Sequence, residues 1–158
     1  FIYLAVQESN FTTDAIGPET RYGIAKGMWQ FIPQTASKYG LKVGPDKDKR
    51  RYDPYDERFD FDKATEAAAD YLSFIYTTEA QASGLLVMSA YNWGEGNIAR
   101  IVNRIPDDLA ERNFWHLLET QMIPDETYTY VLSIFSAAVI GEDPRHFGFE
   151  FDNPIAER

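Results

Sequence analysis

A nearly unbroken apolar run, Phe1-Ile2-Tyr3-Leu4-Ala5-Val6-Gln7, ends in a carboxyl group, Glu8, followed by Ser9-Asn10-Phe11. A carboxyl leaving an apolar helix end sits where loss of water raises its pKa and keeps the proton on. That is the form a general acid needs near neutral pH. On this segment alone, the plainer reading is a helix-terminal Glu in water. Other chemistries are thin on the chain. It has no cysteine, so disulfides, thiolate nucleophiles and thiolate metal sites are absent. Its two histidines, His116 and His146, have no HExxH-type spacing, and no GxSxG elbow is present. Neither a metal nor a cofactor is expected. The Asp46/Asp48 pair lacks the glycine and closing Glu of a calcium loop.

The elements that must position Glu8 are helical. Pro33 opens a short helix that Gly40 ends. Asp62 is placed to cap a longer one, with Ala64, Ala68, Tyr71, Leu72 and Ile75 along one face. Leu85 to Tyr91 forms a compact apolar helix, stopped by Asn92-Trp93-Gly94-Glu95-Gly96. Ile98–Asn103 and Phe114–Leu118 read as short helices. Pro124 starts the last long one, with Val131, Ile134, Phe135 and Ala138 as its buried stripe and Gly141 as its end. No segment sustains period-two alternation, so the fold class is all-α with at most a minimal β element. Two long connections, Asn10–Gly27 and Lys42–Phe61, lie between these helices, and loops of such length often carry function.

The 158 residues suit one domain spanning 1–158, large enough for a real core. The chain begins inside an apolar helical run without a cap or Met, which reads as a fragment of a longer parent. A net charge of −10 argues against nucleic-acid partners. No apolar stretch approaches a membrane span, so membrane attachment is expected only through parent segments. Three Trp, ten Tyr and eleven Phe mostly fill a core, although Tyr and Trp near turns also suit stacking on sugar faces.

Four clusters stand in order along the chain. They are Glu8-Ser9; Ala25 to Ala36, containing Gly27-Met28-Trp29-Gln30-Phe31-Ile32-Pro33; Ser89-Ala90-Tyr91-Asn92-Trp93-Gly94-Glu95-Gly96; and Ile123-Pro124-Asp125-Glu126-Thr127-Tyr128-Thr129-Tyr130-Val131. Together they resemble the catalytic domain of soluble lytic transglycosylases, which shares the goose-type lysozyme fold, and within it the membrane-bound murein transglycosylase D type. Asp53-Pro54, Ala67-Ala68-Ala69-Asp70-Tyr71-Leu72, Phe114-Trp115 and the closing Asp143-Pro144 to Phe149 extend the likeness over nearly the whole chain. There are departures. Ile24 stands where the family usually has Gly, Trp93 replaces Ala, Tyr128 replaces Arg, and the loop between Glu8 and Gln30 is long for the family. These bear on subsite shape and substrate preference and leave the Glu in place.

The resemblance implies a lyase acting on peptidoglycan in the periplasm or cell envelope, working as a monomer. Ordinary glycosidases use two carboxyls, whereas a 2-acetamido sugar can supply its own nucleophile. Glu8 would first protonate the glycosidic oxygen leaving N-acetylmuramic acid. It would then take the proton of that sugar's 6-hydroxyl as a 1,6-anhydro ring closes. Ser9, Gln30, Tyr91 and Asn92 carry over as the groups holding Glu8 and the acetamido group, with Tyr91 orienting the carboxyl. Met28 and Ile32 would be apolar wall, and Glu126 and Tyr130 supports near the site. Two alternatives remain: a hydrolytic lysozyme of the same fold, with Asp14, Glu19 or Glu126 as second carboxylate, and an inactive glycan-binding or scaffold module.

Overall fold

Caps and glycine breaks in the sequence set most of the element boundaries. The computed structural model describes residues 1–106, 111–153 and 155–156. Its elements are α1 (Ile2–Ser9), β1 (Ile16–Thr20), β2 (Gly23–Lys26), α2 (Pro33–Lys38), α3 (Phe61–Ile75), α4 (Gly84–Trp93), α5 (Glu95–Val102), α6 (Phe114–Glu119) and α7 (Asp125–Glu142). Short 3-10 turns occupy Glu57–Phe59, Glu79–Ala82 and Pro144–Phe147. The chain is thus mainly helical with one small sheet, as its pattern predicts.

Several boundaries differ from the sequence expectation. The cap of α3 is Asp60, whose carboxylate accepts the Lys63 N–H at 3.1 Å. An N-cap must sit three residues before the amide it binds, and Asp62 falls inside the first turn instead. The predicted apolar face of α3 is buried throughout. Helix α4 runs on through Asn92 and Trp93, and only Gly94, at φ 95°, breaks it before α5 begins at Glu95. In α7 the buried positions are Thr127, Tyr130, Val131 and Ile134, a regular i, i+3, i+4, i+7 stripe. Phe135 is 50% exposed and Ala138 only partly covered, so the buried stripe ends at Ile134. Gly141 does not end α7. A Cβ there would stand 2.2 Å from the Tyr3 hydroxyl, so the glycine lets α1 approach α7 closely.

Helix α7 is the spine against which α1 and α4 both pack. Leu4, Ala5, Leu86, Val87, Phe114, Leu117, Val131 and Ile134 belong to one buried cluster. Each fully covered side chain of this size contributes about 1.5–3 kcal/mol. The long connection after Glu8 is a hairpin: β1 and β2 pair antiparallel with Ile16 opposite Lys26, Glu19 opposite Ile24 and Thr20 opposite Gly23, with an irregularity between the first two pairs. The other long connection is tied down by buried charge. Arg58 grips Asp56 with two parallel bonds, Nε–Oδ1 at 2.8 Å and NH2–Oδ2 at 2.6 Å. Its NH1 donates to the carbonyls of Ile24 (2.8 Å) and Phe31 (3.0 Å). The buried Lys26 ammonium donates to the carbonyls of Asp46 (2.8 Å) and Arg51 (3.2 Å) and lies 3.9 Å from Asp56.

Candidate active site

Glu8 lies one turn beyond Leu4, so the two share a face of α1, and Leu4 is fully buried. The geometry aims the carboxyl inward. Asn10 and Phe11 then adopt left-handed conformations, φ 51° and 59°, and turn the chain away. The carboxyl faces a cleft of about 660 Å³. It has no cation within ion-pair distance among the described residues, and its hydrogen bond comes from the Tyr130 hydroxyl, which donates to Oε1 at 2.5 Å. Burial pushes the Glu8 pKa up to about 7, and the Tyr130 bond pulls the other way. The carbonyl end of α1 adds a partial negative charge that also disfavours the anion. Burial raises the Tyr130 hydroxyl well above the ordinary tyrosine range, and Glu8 adds to this. Tyr130 therefore stays a donor.

Opposite Glu8 is the turn Gly27–Gln30, closed where Lys26 pairs with Phe31. Gln30 carries a left-handed backbone, φ 49°. A side chain on Gly27 would put its Cβ 1.7 Å from the Arg58 carbonyl oxygen, so only glycine lets the turn lie on that strap. The turn's carbonyls are then held from several helices. Ser9 Oγ donates to Met28 O at 2.8 Å, and Tyr91 Oη to Trp29 O at 3.0 Å. Trp29 Nε1 donates to Thr65 Oγ1 at 3.0 Å, and Gln30 Nε2 to Gly27 O at 2.7 Å.

These contacts revise the expected roles. Ser9 and Tyr91 hold the turn, not the Glu8 carboxyl. The carboxyl is oriented by Tyr130, which the sequence placed only as a support. Tyr91 remains close enough for the Glu8 charge, after burial, to raise its pKa. Gln30, Asn92 and Ile32 line the cleft. Met28 does not; it is 4% exposed in the core, because its neighbours in the turn face the cleft. Glu126 is exposed on the first turn of α7 and does not line the cleft. The buried stripe passes through Thr127 instead, and Thr127 Oγ1 donates to Asn92 Oδ1 at 2.9 Å. Asp14 and Glu19 are exposed and also lie outside the lining.

The second carboxylate of the cleft is Glu95, at the start of α5. Tyr71 Oη donates to its Oε2 at 3.0 Å and Lys38 lies 3.4 Å from its Oε1. Burial alone would raise its pKa, but its own backbone N–H, Tyr71 and Lys38 outweigh this and lower it. The two environments thus push the carboxyls apart, Glu8 upward to about 7 and Glu95 downward, as those of a proton-bearing and a charged carboxyl should differ. Between them run the rings of Tyr71 and Tyr91, tilted 38° to each other with centroids 5.2 Å apart. Tyr71 and Glu95 also border an adjoining cavity of about 200 Å³ with Gln34, Thr35, Lys38 and Tyr39, which lengthens the groove. Glu95 and Tyr71 stand in the sequence clusters, but nothing in their spacing distinguishes them from cap and core residues.

The family model of the transglycosylase SLT domain matches residues 1–113. The chain belongs to the transglycosylase SLT family. The matched segment of this SLT domain holds Glu8, Gln30, Tyr91, Asn92 and Glu95, whereas Tyr130 comes from α7 beyond it. The domain is similar to the membrane-bound lytic murein transglycosylase D of Escherichia coli strain K12, with 29% identity over 147 residues, 93% of this chain and 29% of that protein. The counterpart from Escherichia coli O6:H1 strain CFT073 matches equally, at 29% over the same 147 residues. The chain spans less than a third of the length of these relatives, 29%. No helix among the described residues is long and apolar enough to cross a membrane.

Proposed function

We propose that this SLT domain is the catalytic unit of a peptidoglycan lytic transglycosylase in the bacterial cell envelope, with Glu8 as its acid and then its base. The observation that carries this reading is Glu8 itself: a carboxyl withdrawn from water, pushed up to about 7, facing a 660 Å³ groove and hydrogen-bonded by Tyr130. Near neutral pH it holds a proton to give. The proton goes to the glycosidic oxygen as the bond to the muramic-acid anomeric carbon breaks. The carbonyl oxygen of that sugar's 2-acetamido group bonds to the anomeric carbon and takes the place of a protein nucleophile. Glu8, now a carboxylate, removes the proton of the 6-hydroxyl. That oxygen displaces the acetamido oxygen and closes the 1,6-anhydro ring, so no water is consumed and Glu8 regains its proton.

The cleft supplies groups suited to an acetamide. The amide nitrogen of Gln30 is engaged by Gly27, which leaves its oxygen as an acceptor. The oxygen of Asn92 is engaged by Thr127, which leaves its nitrogen as a donor. Donor and acceptor together match the carbonyl and N–H of an acetamido group. Trp93, also in the lining, offers a ring face for a sugar.

Glu95 favours one second reading, hydrolysis by a lysozyme-like muramidase, because an ionised second carboxylate could direct a water. Both its oxygens are occupied, by Tyr71 and by Lys38, which weakens it as a base. The masses of fragments released from purified sacculi separate the two: anhydro ends follow from the transglycosylase reading, reducing ends from hydrolysis. If wild type and Glu8→Gln released equal soluble sugar, neither reading would stand and the domain would be a binding module.

A further inference from the structure

The hairpin inserted between Glu8 and Gln30 ends in two residues that no step above uses, Arg21 and Tyr22. Both line the Glu8 cleft. They also border a second cavity of about 400 Å³, so open space lies on both sides of the tip. Arg21 is the one cationic residue among the described residues that line the cleft. Lys38 belongs to the adjoining cavity and faces Glu95. In a chain of net charge −10, one cation at the mouth of the groove is a selective feature.

The tip is built to hold a position. Thr20 Oγ1 donates to Gly23 O at 2.8 Å and accepts the Tyr22 N–H at 3.1 Å, which closes the turn. Gly23, at φ 98°, packs on the Pro33 ring. Below the tip, β2 is clamped by the buried ammonium of Lys26 and by Arg58, which grips the Ile24 carbonyl. The Arg21 guanidinium lies over the Tyr22 ring, 4.7 Å from its centroid, and its NH2 donates to the Tyr22 hydroxyl at 2.6 Å. Among the described residues no carboxylate pairs with it. A guanidinium held over a ring, with donors to spare, is a receptor for a carboxylate.

We propose that Arg21 and Tyr22 form a specificity arm in which Arg21 binds a carboxylate carried by the glycan strand. The inference rests on the peptidoglycan reading of the cleft. That polymer offers a carboxylate from two sources: the lactyl ether of a muramic residue stripped of peptide, or the peptide stem. The ionised Glu95 would repel either one, so the hairpin cation supplies the attraction that the remainder of the cleft lining lacks.

Binding to the Glu8→Gln protein, which holds strands without cleaving them, tests this. The probes are neutral β-1,4-linked N-acetylglucosamine oligomers, amidase-stripped strands with free lactyl carboxylates, and strands with intact stems. The expected result is a preference for one carboxylate-bearing probe over the neutral oligomer. Adding Arg21→Gln lowers that preference by roughly tenfold and abolishes its salt dependence, while Arg21→Lys restores part of both. Preference for stripped strands names the lactyl group as the source; preference for intact strands names the stem. Arg21 is exposed, so an unchanged melting curve for Arg21→Gln shows that the fold is intact. An unchanged ratio and salt dependence in Arg21→Gln would overturn the Arg21 assignment while leaving the cleft reading in place. Failure of Glu8→Gln to bind any of the three probes would overturn the cleft reading and this inference with it.

Discussion

Two regions of this domain take charge out of water, with opposite outcomes. At the strap below the hairpin, Asp56 meets Arg58 with two parallel bonds, Lys26 lies beside it, and backbone carbonyls take up the remaining donors. Burial lowers the Lys26 pKa, and Asp56 opposes that shift. At the end of α1, Glu8 is given a tyrosine hydroxyl and, among the described residues, no cation, and its pKa rises to about 7. Burial with full compensation makes a structural clamp. Burial with partial compensation makes a group that exchanges a proton in the physiological range. Tyr130 moderates the second case, since its bond favours the carboxylate and opposes the rise that burial causes.

Variants separate the two regions. Glu8→Gln should lose activity on sacculi by roughly 10⁴-fold, the upper end for a general acid, because the same group acts in both steps. Asp56→Ala should leave two buried cations unpaired and cost about 3–5 kcal/mol of stability, read from denaturant unfolding. Replacing the clamp as a set by apolar residues should cost less.

Glu8→Gln should also change stability, in the opposite direction and only above acid pH. The folded-state pKa of about 7 exceeds the reference value of 4.5, so the folded protein binds this proton more tightly than the unfolded chain. The wild-type penalty is therefore absent below pH 4.5, grows as pH rises to about 7, and is complete above that. The variant should be more stable than wild type at pH 8 by up to about 3 kcal/mol, less any residual solvent screening, and equal to it at pH 4. Melting curves at the two pH values check this.

The smallest effect belongs to Tyr130→Phe. It removes the bond that lowers the Glu8 pKa, so the alkaline limb of the pH–rate profile should move upward. The plateau rate should fall about tenfold through lost positioning. A reduced rate with an unmoved limb would make Tyr130 a packing residue only.

What the sequence disclosed follows the range of each interaction. Local chemistry is legible: the apolar run that aims Glu8 inward, the α3 stripe, and the glycine stops at Gly40 and Gly94, but not the one expected at Gly141. Partners distant along the chain are not, since 122 positions separate Tyr130 from Glu8. Tyr91 was assigned to the carboxyl on chemistry that suits it equally well, but the Trp29 carbonyl takes its hydroxyl. Glu126 was misplaced because Thr127, its neighbour, carries the buried stripe, and an exposed position costs a charged side chain least. Met28 differs from its expected place because its side chain turns into the core, whereas Trp29 to Ile32 line the cleft. Glu95 stands in the third sequence cluster with no local mark, and only the Tyr71 hydroxyl and Lys38 reveal it as the charged member of the pair.

The claim beneath all of this is that the cleft keeps a proton on Glu8 at neutral pH. Its side-chain carboxyl can be titrated directly by carbon NMR in the wild-type domain, with Glu8→Gln assigning the resonance. The account predicts a midpoint of about 7, rising in Tyr130→Phe. A midpoint near 4.5, the ordinary glutamate value, would contradict it.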